Sequence, residues 1–253
     1  MMAAAENQAA DIIENLPPGP LKLTNTKGTH IQMEYLLTAD DVIVAVNGKS
    51  WTQLSSVQDT IKRTLEFGRR PVLVTVSRDS KFFSVLLSNP IETGSQLLLG
   101  EEAEPFQNVP PAISIQDIRM LSNYTIVADL ENSADVLEMR KTFSAMAFPP
   151  FWLIARRLWE PLIAFVCATL TAFVVNTIFG IVVYLAMCVY IGRRQIQLSL
   201  TSMMRDGLYM KMVLAARDEL EAQNVAHKFH ESLKFKFSNQ ETDVGVKLEV
   251  EII

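Results

Sequence analysis

A chain of 253 residues is long enough for two small domains, and its 49% apolar and 20% charged content excludes both a disordered chain and a many-span transporter. Its 23 lysines and arginines stand against 28 aspartates and glutamates, a net charge of −5, which argues against nucleic acid as a partner because phosphate binding needs concentrated cations. The two cysteines, Cys167 and Cys188, form neither a disulfide framework nor a metal site and suit a reducing compartment.

Residues 1–20 read as a short helix or loose tail closed by Pro17, Pro18 and Pro20. Glu6, Asp11 and Glu14 precede any apolar stretch, which does not fit a secretory signal. Residues 21–90 read as a compact α/β unit. "DDVIVAVNGKSW" (40–51) is a β-rich run with an Asn-Gly turn. "SSVQDTIKRTLEFG" (55–68) is a helix capped by Ser55 or Ser56 and stopped by Gly68, with Val57, Ile61 and Leu65 on one face. "RPVLVTVSRDSKFFSVLLS" (70–88) follows as two strands about a turn.

Residues 91–121 read as a linker, with an acidic cluster at Glu101, Glu102 and Glu104 and prolines at 105, 110 and 111. A second module starts over residues 122–148 with a strand, "NYTIVADLE", and a helix predicted over "NSADVLEMRKTF" (132–143), capped by Asn132 or Ser133. Residues 149–198 contain the apolar run. Residues 199–253 continue as helix, a break at Gly207, a short strand, a second helix and an alternating end. There Leu233, Phe235 and Phe237, then Val246, Leu248, Val250 and Ile252, predict a β-hairpin or two sheet strands.

From Pro161 to Gly192 there is no charged residue. One helix from Trp159 to Gly192 would be about 51 Å long and would have to tilt by more than about 50° in a hydrocarbon core about 30 Å thick. Splitting the run at "VNTIFG" (175–180), with Asn176 and Gly180 at the turn, gives two arms. The first can extend back to Pro149, and the second on past Arg193 and Arg194. Charge placement favours the hairpin. Arg156, Arg157 and Trp159 flank one end and Arg193 and Arg194 the other, and the positive-inside rule puts both ends on the cytoplasmic face. Trp152, Trp159, Tyr184 and Tyr190 fit interfacial positions, and Cys167 and Cys188 fit small residues at a helix–helix contact. The alternative is a buried core hairpin of a soluble protein.

No catalytic constellation emerges. His227 and His230 stand three apart on a predicted helix but no further His or Cys joins them, and "NGKSW" lacks the first glycine of a phosphate loop. The uncharged run holds no buried carboxylate or lysine of the kind that marks an ion path.

Two resemblances add to this. "TADDVIVAVNGKSW", the helix after it and "PVLVTVSRDSKFFSVLL" resemble a PDZ domain over about residues 28–90, which implies a peptide groove beside Val57, Ile61 and Leu65. The Gly-rich carboxylate-binding loop of that family has no counterpart here beyond Gly28. "NYTIVADL", "FSAMAFPPFWLIARRLW", the apolar run and "RRQIQLSLTSMMRDGLYMKMVLAARDELEA" resemble the bacterial DUF2628 membrane family over about residues 122–230, which implies a membrane topology and no known reaction.

The expected architecture is α+β: a PDZ-like domain, then a small α/β module interrupted by a two-helix transmembrane hairpin. The expected function is a non-enzymatic, membrane-anchored adaptor, scaffold or accessory subunit without cofactor or metal, at the bacterial inner membrane with both termini cytoplasmic. Its partners would be membrane lipid and protein, in a larger membrane complex or a homo-oligomer. A membrane-shaping hairpin is the alternative.

Overall fold

A computed structural model describes residues 18–27, 29–68, 71–91, 94–107 and 115–235. The tail over residues 1–17 and the alternating segment from Phe237 onward lie outside these residues.

The first sheet is built from β1 (Leu21–Asn25), β2 (Val42–Val46), β3 (Lys49–Ser50), β4 (Val72–Arg78), β5 (Lys81–Leu87) and β6 (Gly94–Leu97), with a short helix α1 (His30–Tyr35) between β1 and β2. The strand order is β5-β4-β2-β1-β6, with β3 pairing on β2, and all these pairings are antiparallel. β2 is wholly buried, as a continuous Val/Ile run requires. Asn47 and Gly48 both take positive φ at the turn into β3, and Asp79 and Ser80 do so between β4 and β5. Two-residue hairpins favour that geometry because it matches the strand twist.

The segment read as a linker is part of this sheet. Residues 94–97 pair with β1, and the Trp51 indole N–H donates to the Phe106 carbonyl at 2.9 Å, so the first unit extends beyond residue 90. The acidic cluster and Pro105 mark the 3-10 turns at Gly100–Glu102 and Glu104–Phe106, and Pro110 and Pro111 lie outside the described residues.

Helix α2 (Val57–Gly68) packs on β2 and β4. Val57 and Ile61 are each 1% exposed and belong to the core, and Leu65 packs against it. The face assigned to a peptide groove is therefore filled by the sheet; beside Ile61 only about 40 Å³ stays open, next to Pro90 and Ile91.

After the turn of helix α3 (Ile115–Ile118), the second sheet contains β7 (Ser122–Ala128), β8 (Ser133–Glu138), β9 (Tyr209–Ala216) and β10 (Lys234–Phe235), in the order β10-β8-β7-β9. Four helices intervene between β8 and β9: α4 (Ser144–Ala147), α5 (Pro149–Ala155), α6 (Trp159–Val175) and α7 (Thr177–Arg205). Helix α8 (Glu219–Phe229) joins β9 to β10. Of the segment predicted as a helix, residues 133–138 form β8. The cause is the turn before it: the Asp129 carboxylate accepts the backbone N–H groups of Glu131 and Ser133 at 2.9 and 2.8 Å, and Asn132 takes φ 63°. That closes a hairpin, and antiparallel pairing with β7 outweighs the helix propensity of Leu137, Glu138 and Met139.

The two sheets share one core, in which Val44, Val74 and Val85 join Ile126, Leu214 and Ala222. The Asn123 side chain clasps the edge strand β5, accepting from the Leu86 N–H at 2.9 Å and donating to the Leu86 carbonyl at 2.8 Å. Phe83 meets Phe229 edge-on at 5.3 Å. Asp41, 1% exposed, accepts Arg78 Nε at 2.7 Å and Nη2 at 2.6 Å and the Thr38 N–H at 2.7 Å, a buried fork that fixes the loop between α1 and β2.

Candidate functional site

The apolar run folds as two helices that return on each other. α6 has 17 residues and α7 has 29, about 26 and 44 Å of helix. A single residue, Asn176, separates them, in extended conformation at φ −164°. Its side-chain oxygen accepts the N–H groups of Ile178 at 2.8 Å and Phe179 at 3.4 Å, so the turn caps its own second helix. Gly180, expected at the turn, lies in the first turns of α7 instead. A Cβ there would meet the Phe173 ring at 2.5 Å, so the absent side chain lets the arms close. Further down, Phe165 and Tyr184 pack edge-on at 5.7 Å. Pro161 and Arg194 line one groove, which places the start of α6 beside the point where α7 becomes charged.

The first arm does not reach back to Pro149. Helix α5 ends at Ala155, Arg157 takes φ 56°, and the chain restarts at Trp159. α4 and α5 form a separate shelf against the hairpin base. Gly192 permits this approach: a Cβ there would stand 2.6 Å from Met146 Cβ. Gln195, buried, accepts the Thr142 N–H and Oγ1–H at 3.0 Å each and donates to the Gly192 carbonyl at 3.1 Å. A small core of Trp152, Leu153, Leu158, Phe165 and Ile191 fills the junction. Trp152 is therefore buried, whereas Trp159 and Tyr190 are exposed. Cys188 is buried and Cys167 exposed.

The outer surface of the arms is largely apolar, with Thr171, Asn176 and Thr177 as exposed polar residues between Pro161 and Gly192. Val174 is 87% and Ile178 74% exposed at the tip, and Ile163, Leu170, Val182 and Leu185 are exposed along the arms. Phe148, Phe151 and Ile154 continue the patch onto the shelf. Arg156 and Arg157 lie just before α6, and Arg193 and Arg194 lie past the middle of α7, where the uncharged run ends; all four are exposed. Helix Thr177–Arg205 is long and apolar enough to cross a membrane, and α6 falls just short of that length. Only 17% of the apolar window of α7 is buried, where the core helix of a soluble protein is mostly buried.

No set of three His, Cys, Asp or Glu side chains that could hold a metal occurs among the described residues. The ring of His227 packs edge-on against Phe235 at 5.2 Å. His230 has its pKa lowered, first by desolvation and then by the charges of Lys211, Arg78 and Lys81.

Residues 117–210 match the DUF2628 family. That family is described as one of unknown function, and the match spans β7, β8, the shelf, the hairpin and the start of β9. No curated protein and no solved structure matches the chain. Nothing in these comparisons supports a PDZ domain over the first sheet.

The sequence reading missed the shelf packing and the groove along α7. A signal for the groove was present: Arg194, Gln197, Thr201 and Arg205 recur at helical spacing on one face.

Proposed function

We propose that the chain is a non-enzymatic adaptor held at the cytoplasmic face of a bacterial inner membrane by the α6–α7 hairpin, with the two-sheet body in water. The observation that carries this reading is the continuous exposed apolar surface of arms and shelf, bounded at one end by Arg156, Arg157, Arg193 and Arg194. Water would leave that surface unburied at a cost of about 25 cal/mol per Å², whereas hydrocarbon removes the cost. Basic residues at one end only fit the positive-inside rule with both flanking segments cytoplasmic.

Partner binding is assigned to a sheet edge, since α2 spends its apolar face on the core. β6, at the end of the first sheet, is short and partly exposed, and strand addition to it supplies main-chain hydrogen bonds without a groove. Such a partner would be a subunit of a larger membrane complex or a second copy of this chain. The test is protease protection in sealed inverted vesicles, followed by native purification. Cleavage of both termini from the cytoplasmic face and one stoichiometric companion support the reading. Protection of one terminus refutes the hairpin topology, and a chain that elutes alone and monomeric refutes the adaptor.

One observation favours membrane shaping as a second reading. The uncharged arms, Pro161–Val175 and Thr177–Gly192, span about 22–24 Å against a hydrocarbon core of about 30 Å, and the tip that ends them carries no charge and exposes Val174 and Ile178. A wedge of that depth displaces one leaflet more than the other. Unchanged vesicle diameter at high protein density would rule it out.

A further inference from the structure

We propose that the groove between the foot of α6 and the charged half of α7 is a binding site for the headgroup of an anionic phospholipid; the proposal rests on the membrane-anchor reading. The groove has a volume of about 340 Å³. One wall is a single face of α7, where Arg194, Gln197, Thr201 and Arg205 succeed one another at spacings of three and four residues. Together with the Ser202 hydroxyl, these present two guanidinium groups and neutral donors to a common space. A phosphodiester, with one charge and several acceptor oxygens, matches that donor set.

The apolar part of the lining argues for a lipid over a soluble phosphate. It is lined by Pro161 and Tyr190, which belong to the uncharged run, whereas Arg194 lies just beyond that run on α7. The groove therefore straddles the boundary between the apolar arms and the charged base. An amphipathic ligand fits such a boundary, its head among the arginines and its chains along the exposed apolar arm. Basic pockets beside membrane helices on the cytoplasmic side bind anionic headgroups on the same principle.

Glu160 works against this site and supplies a diagnostic sign. Its carboxylate pairs with Arg205, while Arg194 donates to Gln197. Arg205 and Glu160 are 50% and 71% exposed, so the pair is solvated and exchanges readily. A phosphate entering the groove displaces the carboxylate from Arg205. Removing the Glu160 charge strengthens binding, whereas removing Arg194 or Arg205 weakens it.

The experiment is native mass spectrometry of the full chain released from detergent micelles containing phosphatidylglycerol, phosphatidylcholine or both, with inorganic phosphate as a separate arm. The expected result is a retained phosphatidylglycerol adduct favoured over phosphatidylcholine. R194Q and R205Q each lower that preference about fivefold, the size of one basic contact near a charged membrane surface, and E160Q raises it. Circular dichroism confirms that the variants fold. Equal retention of the two lipids, an unchanged preference in the R194Q/R205Q double variant, or complete competition by millimolar phosphate overturns the lipid site. Failure of the chain to float with vesicles of any composition refutes the anchor itself, whereas flotation on phosphatidylcholine vesicles without lipid preference removes only the site.

Discussion

The tip of the hairpin offers the sharpest test of where it resides. Val174 and Ile178 flank the Asn176 turn and are 87% and 74% exposed, so aspartate at either position removes almost no internal contact. In hydrocarbon the change is severe. Moving from a branched aliphatic to an aspartate at membrane depth costs about 3–4 kcal/mol, so the V174D/I178D pair costs about 6–8 kcal/mol, a factor of about 10⁴ or more in partition. Leu130 is as exposed as Val174 but lies in the β7–β8 turn, so L130D serves as the control. The assay is flotation of the purified chain with neutral vesicles, with thermal unfolding of the detergent-solubilised form as a check on folding. The double variant should stay at the bottom of the gradient while L130D floats like the parent. Equal flotation of all three would show that the tip lies in water, either beyond the far leaflet or outside the bilayer.

Four further outcomes follow from contacts in the body and shelf. D41A leaves the partly buried Arg78 guanidinium with the Leu36 carbonyl but without its carboxylate and should cost about 3 kcal/mol in denaturant unfolding, with D41L/R78M recovering most of it. T125V should be neutral or stabilising by about 1 kcal/mol, because the Thr125 hydroxyl is buried without a hydrogen-bond partner among the described residues. G192L should push α4 off α7 and lower the melting temperature of the solubilised chain, since even a methyl at that position meets the backbone and side chain of Met146. His230 has a folded pKa below its unfolded 6.5, so the unfolded chain binds more protons there. Stability therefore falls as pH drops below 6.5 towards the folded pKa, and H230Q should flatten that part of the profile relative to the parent.

How much was legible in the sequence depended on whether local pattern and tertiary pairing agreed. β2, β4, β5 and α2 were readable because apolar period, turn residues and burial coincide there. β8 was not, because Leu137, Glu138 and Met139 favour a helix in isolation and only the Asp129 turn and the partner strand override them. β6 was hidden by the composition around it: its pairing with β1 depends on a strand some seventy residues earlier. At the hairpin, absence of charge and the four flanking arginines showed two arms, and Asn176 was the single polar residue able to turn the chain between Val175 and Thr177. The break at Arg157 and the shelf were not legible, because they depend on Gly192 and Gln195 receiving α4 from fifty residues away. Val57, Ile61 and Leu65 were correctly placed on one face, but periodicity does not say whether such a face meets a ligand or a sheet.

Because Asn176 closes its own turn, the hairpin carries a single residue between its helices in place of a polar loop. An ordinary pair of spans must move a hydrated loop through hydrocarbon, and each unsatisfied backbone group in such a loop costs several kcal/mol on the way. Here the second and third amides of α7, those of Ile178 and Phe179, are already taken by the Asn176 side chain, and the residues on either side are Val175 and Thr177. On the anchor reading proposed above, a closed wedge of this kind would enter a bilayer tip first from one face, with no segment delivered to the other. Its two feet are tied to β8 and β9, which belong to one sheet, so in that reading the folded body would set the depth of the wedge. In that reading the fold of the two-sheet body would act as the stop that the hairpin itself lacks.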